Sequence, residues 1–395
     1  MVSVSEADQI LSGTSYKLST LALPVENVVN RVLAETVVAD RDFPPFDRVA
    51  MDGIAINARA FAQKKAFKIE SVQAAGVPRL SLQHSENCIE VMTGATVPEG
   101  TDAVIRYEDV DIAEGHASIR LDHVSTGMNI HYQGSDVRKD EVVLSPGQVL
   151  SPAEIALLAS VGKTEVHVYE FPRTAIISSG NELVEIGTVP EPHQIRRSNA
   201  YALQAAMLQL GWQARLYHLP DDRFTIHERL QHVLLGHDVV ILSGGVSKGK
   251  FDFIPEALND LGIQKLFHQV SQKPGKPFWF GKSASNKIVF ALPGNPVSTF
   301  LCFYRYIKPW IHNQMQNPVR VSKAKLASSF EFSPPLTYYL QVRVENENGT
   351  LVAYPIPGGG SGDFANLAGV SGFLELPSSL SHFSAGEVFD YYFFR

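Results

Sequence analysis

Three short loops of the sequence combine glycine with small polar residues, and each follows a segment with the composition of a β-strand. The loops are 178–182 (SSGNE), 244–250 (GGVSKGK) and 293–298 (PGNPVS). Backbone N–H groups of glycine loops, and the positive end of a helix that follows such a loop, attract anions. Three such loops on one rim predict a cleft for a polar, phosphorylated ligand.

The loop 244–250 is close to a Walker A phosphate-binding sequence but differs from it at one decisive position. Phe251 stands where that motif needs a serine or threonine to bind Mg²⁺, which argues against a standard P-loop ATPase. A plain strand-to-helix turn is the alternative interpretation of this loop taken alone. Asp252, at the start of the next predicted helix, is either an N-cap or a ligand for Mg²⁺ on a bound phosphate.

A further anion site is predicted in the loop 273–277 (KPGKP), which holds two lysines in a stiff segment. Proline fixes the backbone dihedral φ and removes an N–H donor, so Lys273 and Lys276 are positioned at low entropic cost. Oxyanion binding is the functional interpretation, and a solvated basic turn is the alternative.

Acidic candidates are found in and beside the region 48–146. Asp52 lies in a turn-like Ala-Met-Asp-Gly segment, so an Asx-turn is the structural alternative for any one of these acids. The candidates are Asp47, Asp52, Asp102, Glu108 and Asp136. None of the 13 histidines has HExxH-type spacing, and Cys88 and Cys302 are too few for a disulfide framework or a cysteine zinc site.

The composition excludes several classes of protein. The chain has 395 residues, with 34 basic and 41 acidic side chains and a net charge of −7, so a broad nucleic-acid-binding surface is not expected. No apolar run approaches the ~20 residues that a membrane span needs. The N-terminal segment has no basic start and no apolar region of a signal peptide. We therefore expect a cytoplasmic protein with no nucleic-acid or membrane partner.

Alternating strands and amphipathic helices begin at about residue 172 and predict a mainly parallel sheet covered on both faces. Ligands of such sheets bind beyond the carboxyl ends of the strands, where the three glycine loops fall. The region 48–146 alternates short β-like segments with Gly/Pro loops. After about residue 316 the helical period disappears, and Asn348-Gly349 indicates a β-hairpin.

Two helical segments are predicted on either side of the β-rich region. Valines between 25 and 33 recur at helical spacing after Pro24, and 152–161 has a proline near its start. A β-rich module between two helical pieces suggests an insertion into another domain. The predicted domains are a split N-terminal part (1–47 and 147–171), an inserted β-rich module (48–146), an α/β domain (172–315) and a C-terminal β domain (316–395).

Seven segments of the chain together resemble the signature segments of one enzyme family. They are DRVAMDGIAI, VMTGATVPEGTDAV, SSGNEL, SGGVSKGKFDF, KPGKPFWFGK, LPGNPVSTF and GGSGDFANLA. The sequence is similar, over nearly its whole length, to the molybdopterin molybdenumtransferases, the MoeA family, which includes the corresponding domain of gephyrin.

The resemblance implies an elongated homodimer of four-domain subunits, with a central α/β molybdopterin-binding domain, an inserted β-rich module and a C-terminal β-barrel-like domain. It implies a transferase that inserts molybdate into adenylated molybdopterin, releases AMP and uses Mg²⁺. The implied cleft combines the α/β domain of one subunit with the inserted module of the other. A molybdopterin adenylyltransferase is the implied pathway partner. The alternatives are a non-catalytic molybdopterin-binding or carrier paralogue and adenylyltransferase activity of the chain itself.

The resemblance also implies roles for individual residues. It points to Asp52, Asp136, Asp252 and Lys276 as catalytic residues. It points to Glu182, Asp252 and either Asp221 or Asp222 as metal ligands, with Asp222 preferred. The implied cofactor-binding residues are Thr93, Ser179, Gly180, Gly244, Gly245, Ser247, Lys273, Pro277, Pro293, Gly294, Asn295 and Ser361.

The sequence departs from the family pattern at three places. His131, Tyr132 and Gln133 stand where the family often has consecutive arginines, and Gln341 replaces a common arginine, with Arg343 two residues on. Arg196-Arg197-Ser198-Asn199 replaces Tyr-Asp-Ser-Asn. Two basic contacts are thus expected to be lost and two gained. Loss of one charge-assisted contact weakens anion binding by about tenfold or more.

Overall fold

The computed structural model describes residues 1–246, 253–356, 358–360 and 362–395, and it divides the chain into two compact units. The first unit comprises Met1–Ala34, Pro146–Ser151 and Val166–Arg395, and the second comprises Glu35–Ser145 and Pro152–Glu165. The four-domain division is finer than this one and stays a prediction.

A six-stranded α/β sheet forms the centre of the first unit. Its first four strands in spatial order are parallel, and the fifth is antiparallel to both of its neighbours. The order across the sheet is Ala214–Leu219, Thr174–Ser179, Val239–Ser243, Ile288–Leu292, Trp279–Ser283 and Ile263–His268. The mainly parallel α/β sheet expected from the sequence is therefore confirmed, with two strands that the sequence pattern did not indicate.

Both faces of this sheet are buried. Along the strand Thr174–Ser179, Ile176 belongs to one apolar cluster, whereas Ala175 and Ile177 belong to another. Because side chains alternate along a strand, this separation requires a packed layer on each face. The helical segments of this α/β region are Ser198–Leu208, Arg223–Gly236, Ile254–Asp260, Pro296–Cys302, the π-helical Phe303–Ile307 and Lys308–Gln314.

The N-terminal segment of the first unit begins with the helix Val4–Gly13. Ser3 and Glu6 form a capping box at its start, which satisfies N–H groups that the helix leaves unpaired. The helix expected after Pro24 is wrong: only the 3₁₀ turn Val25–Asn27 forms. Val32 and Leu33 instead form bridges with Val149 and Val168, because sheet-like pairing overrides the local helical spacing. Nearby, the strand Thr20–Pro24 pairs with Glu165–Tyr169.

Five strands close into a barrel in the C-terminal region, which confirms the expected β-barrel-like domain. They are, in order around the barrel, Thr337–Glu347, Thr350–Pro355, Ser322–Leu326, Val388–Phe393 and Gly372–Leu376. Asn348 and Gly349 connect the first two strands with positive φ angles of 51° and 87°, as the hairpin prediction required. The short strand Phe330–Glu331 pairs with His382–Phe383 beside the barrel, and Ala365–Gly369 forms a 3₁₀ helix.

The second unit is built on a mixed six-stranded sheet, which agrees with a β-rich module. Its spatial order is Ala103–Arg106, Gly53–Ile56, Cys88–Val91, Ala66–Gln73, His116–Ile119 and Val110–Ala113. Two short pairs, Val37–Val38 with Val142–Leu144 and Arg48–Val49 with Ile130–His131, complete its strands. Its helical segments are Ala58–Phe61, Tyr107–Asp109 and Pro152–Ser160, of which the last confirms the helix expected at 152–161.

A search of the described ranges finds no helix that is both long enough and apolar enough to cross a membrane.

Candidate active-site cleft

A cleft of about 640 Å³ opens at the carboxyl ends of the parallel strands in the α/β sheet. It brings together segments of all three predicted glycine loops, 178–182, 244–246 and 293–296. Ser179, Gly180, Glu182, Gly244, Gly245, Pro293, Gly294, Asn295 and Pro277 line it. Two further candidates for this rim, Ser247 and Asp252, lie outside the described residues.

Close backbone approach explains why two consecutive glycines form the floor of the cleft. Gly244 has a φ of +97°, and a Cβ atom there would lie 2.7 Å from the carbonyl oxygen of Ser179. Gly245 has a φ of +71°, and its Cβ would collide with Ile254 Cδ1. Any other residue type at 244 or 245 would have to adopt a strained backbone conformation and displace a neighbour.

The buried polar side chains around the cleft are not all satisfied. Among the described residues, the buried side-chain polar atoms without a hydrogen-bond partner are Ser178 Oγ, Ser179 Oγ, Arg197 Nε and Asn199 Oδ1. All four residues line this cleft. Buried polar atoms are normally hydrogen-bonded, because leaving one unpaired costs about 1–3 kcal/mol. Their convergence indicates that this cleft receives a polar ligand.

The orientation of Asn199 is fixed by the opposite wall of the cleft. Its Nδ2 donates to Ser243 Oγ at 2.9 Å and to the carbonyl oxygen of Gly294 at 2.8 Å. These bonds position the amide, and its Oδ1 is the atom left without a partner. The helix Ser198–Leu208 starts at the same place, so its positive N-terminal end adds to the attraction for an anion.

A second cavity, of about 680 Å³, lies between the loop 273–277 and the C-terminal barrel. Lys273 and Lys276 line it, and its described lining contains no carboxylate. It shares Pro277, Pro293 and Asn295 with the cleft. The lysine-lined cavity therefore borders the cleft directly and offers it positive charge.

The buried side-chain amide of Gln272 anchors the loop 273–277. Gln272 is fully buried; its Nε2 donates to the Pro274 carbonyl at 3.1 Å, and its Oε1 accepts from the Tyr306 hydroxyl. Gly275 has a φ of +91°, and a Cβ there would lie 2.6 Å from Gln272 Nε2. The strand Gln272–Lys273 also pairs with the barrel strand Thr337–Glu347. These contacts fix the backbone positions from which the Lys273 and Lys276 side chains extend.

The acidic candidates separate into different environments. Glu182 and Asp221 line the cleft, and Asp221 exchanges two 3.0 Å hydrogen bonds with Asn181. Asp222 instead caps the helix Arg223–Gly236, accepting from Thr225 N at 2.8 Å. Hydrogen bonds from the Thr225 hydroxyl and N–H hold the pKa of Asp222 below its ordinary value. Of the two aspartates considered from the sequence, Asp221 is the one at the cleft.

The part of the chain that the structure describes contains no ready cluster of three or more His, Cys, Asp or Glu side chains for a metal ion. Mg²⁺ does not need one, since it is commonly bound by one or two carboxylates together with substrate phosphates. Glu182 and Asp221 fit this mode of binding.

The predicted residues of the inserted module belong to hydrogen-bond networks of their own. Asp52 Oδ1 accepts from Thr93 N at 2.6 Å and from Thr93 Oγ1 at 2.7 Å. These bonds, the one from the backbone N–H first, hold the pKa of Asp52 below its ordinary value. The structure thus brings Asp52 and Thr93 together, and the hydrogen bonds between them favour the ionised form of the Asp52 carboxylate.

A histidine connects the third module residue to an arginine. Asp136 Oδ1 lies 2.8 Å from His131 Nε2, and Arg48 Nη2 lies 3.0 Å from His131 Nδ1. Because arginine only donates, Nδ1 accepts and Nε2 carries the proton that is given to Asp136. The departure at 131–133 therefore leaves a guanidinium beside this network, supplied by Arg48. Tyr132 is half-exposed beside Gly127.

The departure at 341 has a different result. Gln341 lines the lysine-lined cavity, and its Oε1 accepts from Asn366 Nδ2 at 3.2 Å. Arg343 does not take over the missing charge, since its Nε pairs with Glu345 Oε1 at 3.1 Å and it does not line the cavity. Ser361, the predicted contact from this domain, lies outside the described residues.

Several cleft residues had no individual role in the sequence prediction: Ser178, Arg197, Asn199 and Ser243. Asp221 was the alternative to the preferred Asp222. The one available signal was the Arg196-Arg197 departure from the family pattern. The unpaired state of Ser178 and Asn199 depends on which strands meet, which no local pattern contains.

Taken together, an α/β sheet with an anion cleft, an adjoining lysine-lined cavity and a closed barrel define a multi-domain enzyme that handles anionic substrates. Comparison with known proteins identifies the family. The chain matches the family models described as the MoeA N-terminal region (domain I and II) over residues 2–162, a probable molybdopterin binding domain over 175–313, and the MoeA C-terminal region (domain IV) over 323–394.

Full-length relatives and solved structures agree with these matches. The chain is 41% identical to a molybdopterin molybdenumtransferase of Synechocystis, over 99% of this chain and 100% of that protein. It is 30% identical to one of Staphylococcus aureus, over 98% and 94%. The crystal structure of the molybdopterin biosynthesis MoeA protein of Pyrococcus horikoshii superimposes with a TM-score of 0.86 at 29% identity, covering all of both chains. The chain belongs to the molybdopterin molybdenumtransferase family, the transferases of molybdenum cofactor biosynthesis.

Proposed function

We propose that this chain inserts molybdate into adenylated molybdopterin and releases AMP. The observation that carries the proposal is the shared wall of Pro277, Pro293 and Asn295 between a lysine-lined cavity without carboxylates and a cleft with unpaired buried polar atoms. Two adjoining anion sites suit a reaction between two anionic substrates. The carrier and adenylyltransferase alternatives are not favoured, because the full-length relatives are molybdenumtransferases.

In this proposal the loop 273–277 binds molybdate. Lys276 and Lys273 supply charge-assisted hydrogen bonds to its oxygens, and the stiff loop keeps both cations in place. The cleft binds the phosphates of adenylated molybdopterin through Ser179, Asn199 and the helix N-terminus. Holding both substrates against one wall removes the entropic cost of bringing them together in the reaction step.

We assign Mg²⁺ to Glu182 and Asp221, with Asp252 and Asp222 as the other candidates from the sequence. When bound there, Mg²⁺ supplies positive charge that offsets the charge developing as the phosphoanhydride is cleaved. The carboxylates of Glu182 and Asp221 would hold the cation at the rim, and the substrate phosphates would supply further oxygen ligands.

The test supplies purified protein with adenylated molybdopterin, molybdate and Mg²⁺, and measures AMP release together with active cofactor. The Lys276→Ala variant is the negative control, and Lys265→Ala, an exposed lysine on the strand Ile263–His268, is the matched control. Wild-type activity no higher than that of Lys276→Ala would refute the proposal. A single turnover of cofactor formation would exclude a mere carrier.

We further propose a cytoplasmic homodimer in which Asp52, Thr93 and Asp136 of one subunit act at the cleft of the other, with a molybdopterin adenylyltransferase as pathway partner. The test co-expresses an Asp52→Asn subunit with a Lys276→Ala subunit. Mixed dimers then contain one intact site, so activity should return although each variant alone is inactive. Failure to regain activity in purified mixed dimers would contradict a shared site, and cell fractionation tests the location.

A further inference from the structure

Arg197 occupies an unusual position in the α/β domain. Only 7% of it is exposed, and it lines both the cleft of about 640 Å³ and a neighbouring cavity of about 420 Å³. Arginine is seldom buried unless its charge is paired. Its partner Glu185, bound through Nη2, keeps 60% of its side chain exposed, and Arg197 Nε has no partner. The guanidinium is therefore only partly satisfied within the described protein.

The local backbone makes this placement more unusual. Arg197 is the N-cap of the helix Ser198–Leu208, and its side chain caps no N–H group. Ser, Thr, Asp or Asn is preferred at this position, and a positive charge at the positive end of a helix is unfavourable. Two sources of positive potential thus converge at the cleft, where the partner of Arg197, Glu185, is mostly exposed and Arg197 Nε stays unpaired. Local rules broken in this way are expected where a site is built for a ligand.

The neighbouring cavity extends the positively charged surface. Its charged and titratable lining residues are Arg197, Arg229, His218, His232, Tyr217 and one carboxylate, Glu185. His218 Nε2 is hydrogen-bonded to the Gly180 carbonyl at 2.9 Å, and Arg229 Nη1 donates to the His218 carbonyl at 3.1 Å. These bonds tie the wall of this cavity to the glycine loop of the cleft. Arg197 stands at the boundary between the two spaces.

We propose that Arg197 is a substrate-binding residue that holds the phosphoanhydride of adenylated molybdopterin. This inference rests on the proposed function, because that substrate carries its negative charge between two ring-bearing ends. A cation at the boundary of two cavities matches a ligand with an anionic centre and an organic group on each side.

The experiment measures binding of inorganic pyrophosphate and, separately, of molybdate to the full-length protein by titration calorimetry. Arg197→Gln should weaken pyrophosphate binding by roughly ten- to a hundredfold, because a charge-assisted contact is lost. Its affinity for molybdate should stay within twofold of the wild type. Lys276→Ala should show the opposite pattern. Arg223→Gln, an exposed arginine paired with Glu256, removes the same charge outside both cavities and should change neither affinity.

Two outcomes would overturn the inference. One is folded Arg197→Gln protein that binds pyrophosphate as tightly as the wild type, and the other is an equal loss of both ligands. Should Arg197→Gln fail to fold, Arg197→Lys keeps the charge and loses the planar fork. A threefold or larger loss of pyrophosphate affinity in that variant supports the inference, and a smaller one refutes it. Molybdenum insertion is not measured here, so the proposed function can stand or fail independently.

Discussion

The cleft of the α/β domain and the acidic networks of the inserted module differ in whether their polar groups have hydrogen-bond partners. In the cleft, Ser178, Ser179 and Asn199 each leave a buried polar atom unpaired. In the module, Asp52 accepts two hydrogen bonds from Thr93, and Asp136 is bound by His131. The cleft is open to new partners, whereas the module acids already have theirs.

This difference teaches what each region contributes before substrate arrives. Unpaired groups in the cleft cost free energy in the free protein, and that cost is recovered only when a ligand supplies the missing bonds. In the module, the Asp52 carboxylate already accepts two hydrogen bonds from Thr93, and these bonds lower its pKa and favour the ionised form. We therefore expect cleft substitutions to change binding more than stability, and module substitutions to change charge state.

The largest expected effect comes from the lysine loop. Lys276→Ala should abolish molybdenum insertion and weaken molybdate binding by at least about tenfold, since one charge-assisted contact is lost. Asp52→Asn in the module should leave molybdate binding within twofold of the wild type. Equilibrium binding of molybdate to both variants checks this. Equal losses in the two variants would break the distinction between the regions.

Rigid glycine positions give the next largest effect. Gly244→Ala should destabilise the protein by about 1–3 kcal/mol, because alanine is strained at a φ of +97° and its Cβ would press on the Ser179 carbonyl. Gly76→Ala in the module has a similar φ of +81° but open space around it. Its loss should be the smaller one, as measured by thermal unfolding. A larger loss of stability in Gly76→Ala than in Gly244→Ala would show that the residues around Gly244 can move to accommodate a Cβ atom.

An unpaired hydroxyl should be removable without loss of stability. Ser178→Ala eliminates a buried atom that has no partner, so unfolding stability should stay the same or rise by up to about 1 kcal/mol. Pyrophosphate binding should weaken in the same variant. Thr93→Val in the module removes one satisfied bond, from Thr93 Oγ1 to Asp52 Oδ1, and should lower stability at neutral pH. If Ser178→Ala is clearly less stable than the wild type, the hydroxyl has a partner in the folded protein.

The smallest effect is a pH dependence confined to the module. The pKa of Asp52 is lowered in the folded state by Thr93, so the stability from this contact is present above the unfolded pKa of about 3.9. It is lost as pH falls through the lower folded value. The stability difference between wild type and Thr93→Val should therefore shrink below about pH 4, as urea unfolding at several pH values would show. A constant difference would contradict the role of ionised Asp52.

Much of the architecture follows from local sequence patterns. Alternating strands and helices after residue 172 predicted the α/β sheet, and Asn348-Gly349 predicted the hairpin of the barrel. The segment after Pro24 misled, because Val32 and Leu33 pair with residues more than a hundred positions away. Helical spacing records only local neighbours, so it does not register such distant partners.

The same distinction between contiguous motifs and distant contacts applies to the candidate site. Glycine loops and the paired lysines were visible as motifs, since each is a contiguous segment with one conformational requirement. Arg48 beside His131 was not visible, because this contact depends on how two separate strands pair. Arg343 pairs with Glu345 on its own strand, which the sequence pattern did not indicate. The predicted site roles themselves await the substitutions proposed above.

The helix Val4–Gly13 has a consequence for the order in which this protein is made. Arg305 Nη1 donates to Asp8 Oδ1 across 297 positions of sequence, and Tyr16 N donates to Gln314 Oε1 across 298. At roughly 5–20 residues per second, the ribosome needs about 15 to 60 s to deliver those partners. Until then the helix lacks both of these partners, and the apolar cluster that buries Val4, Ala7 and Leu11 is incomplete. The helix Val4–Gly13 and the residues that follow it thus complete these contacts only after the chain has reached residues 305–314.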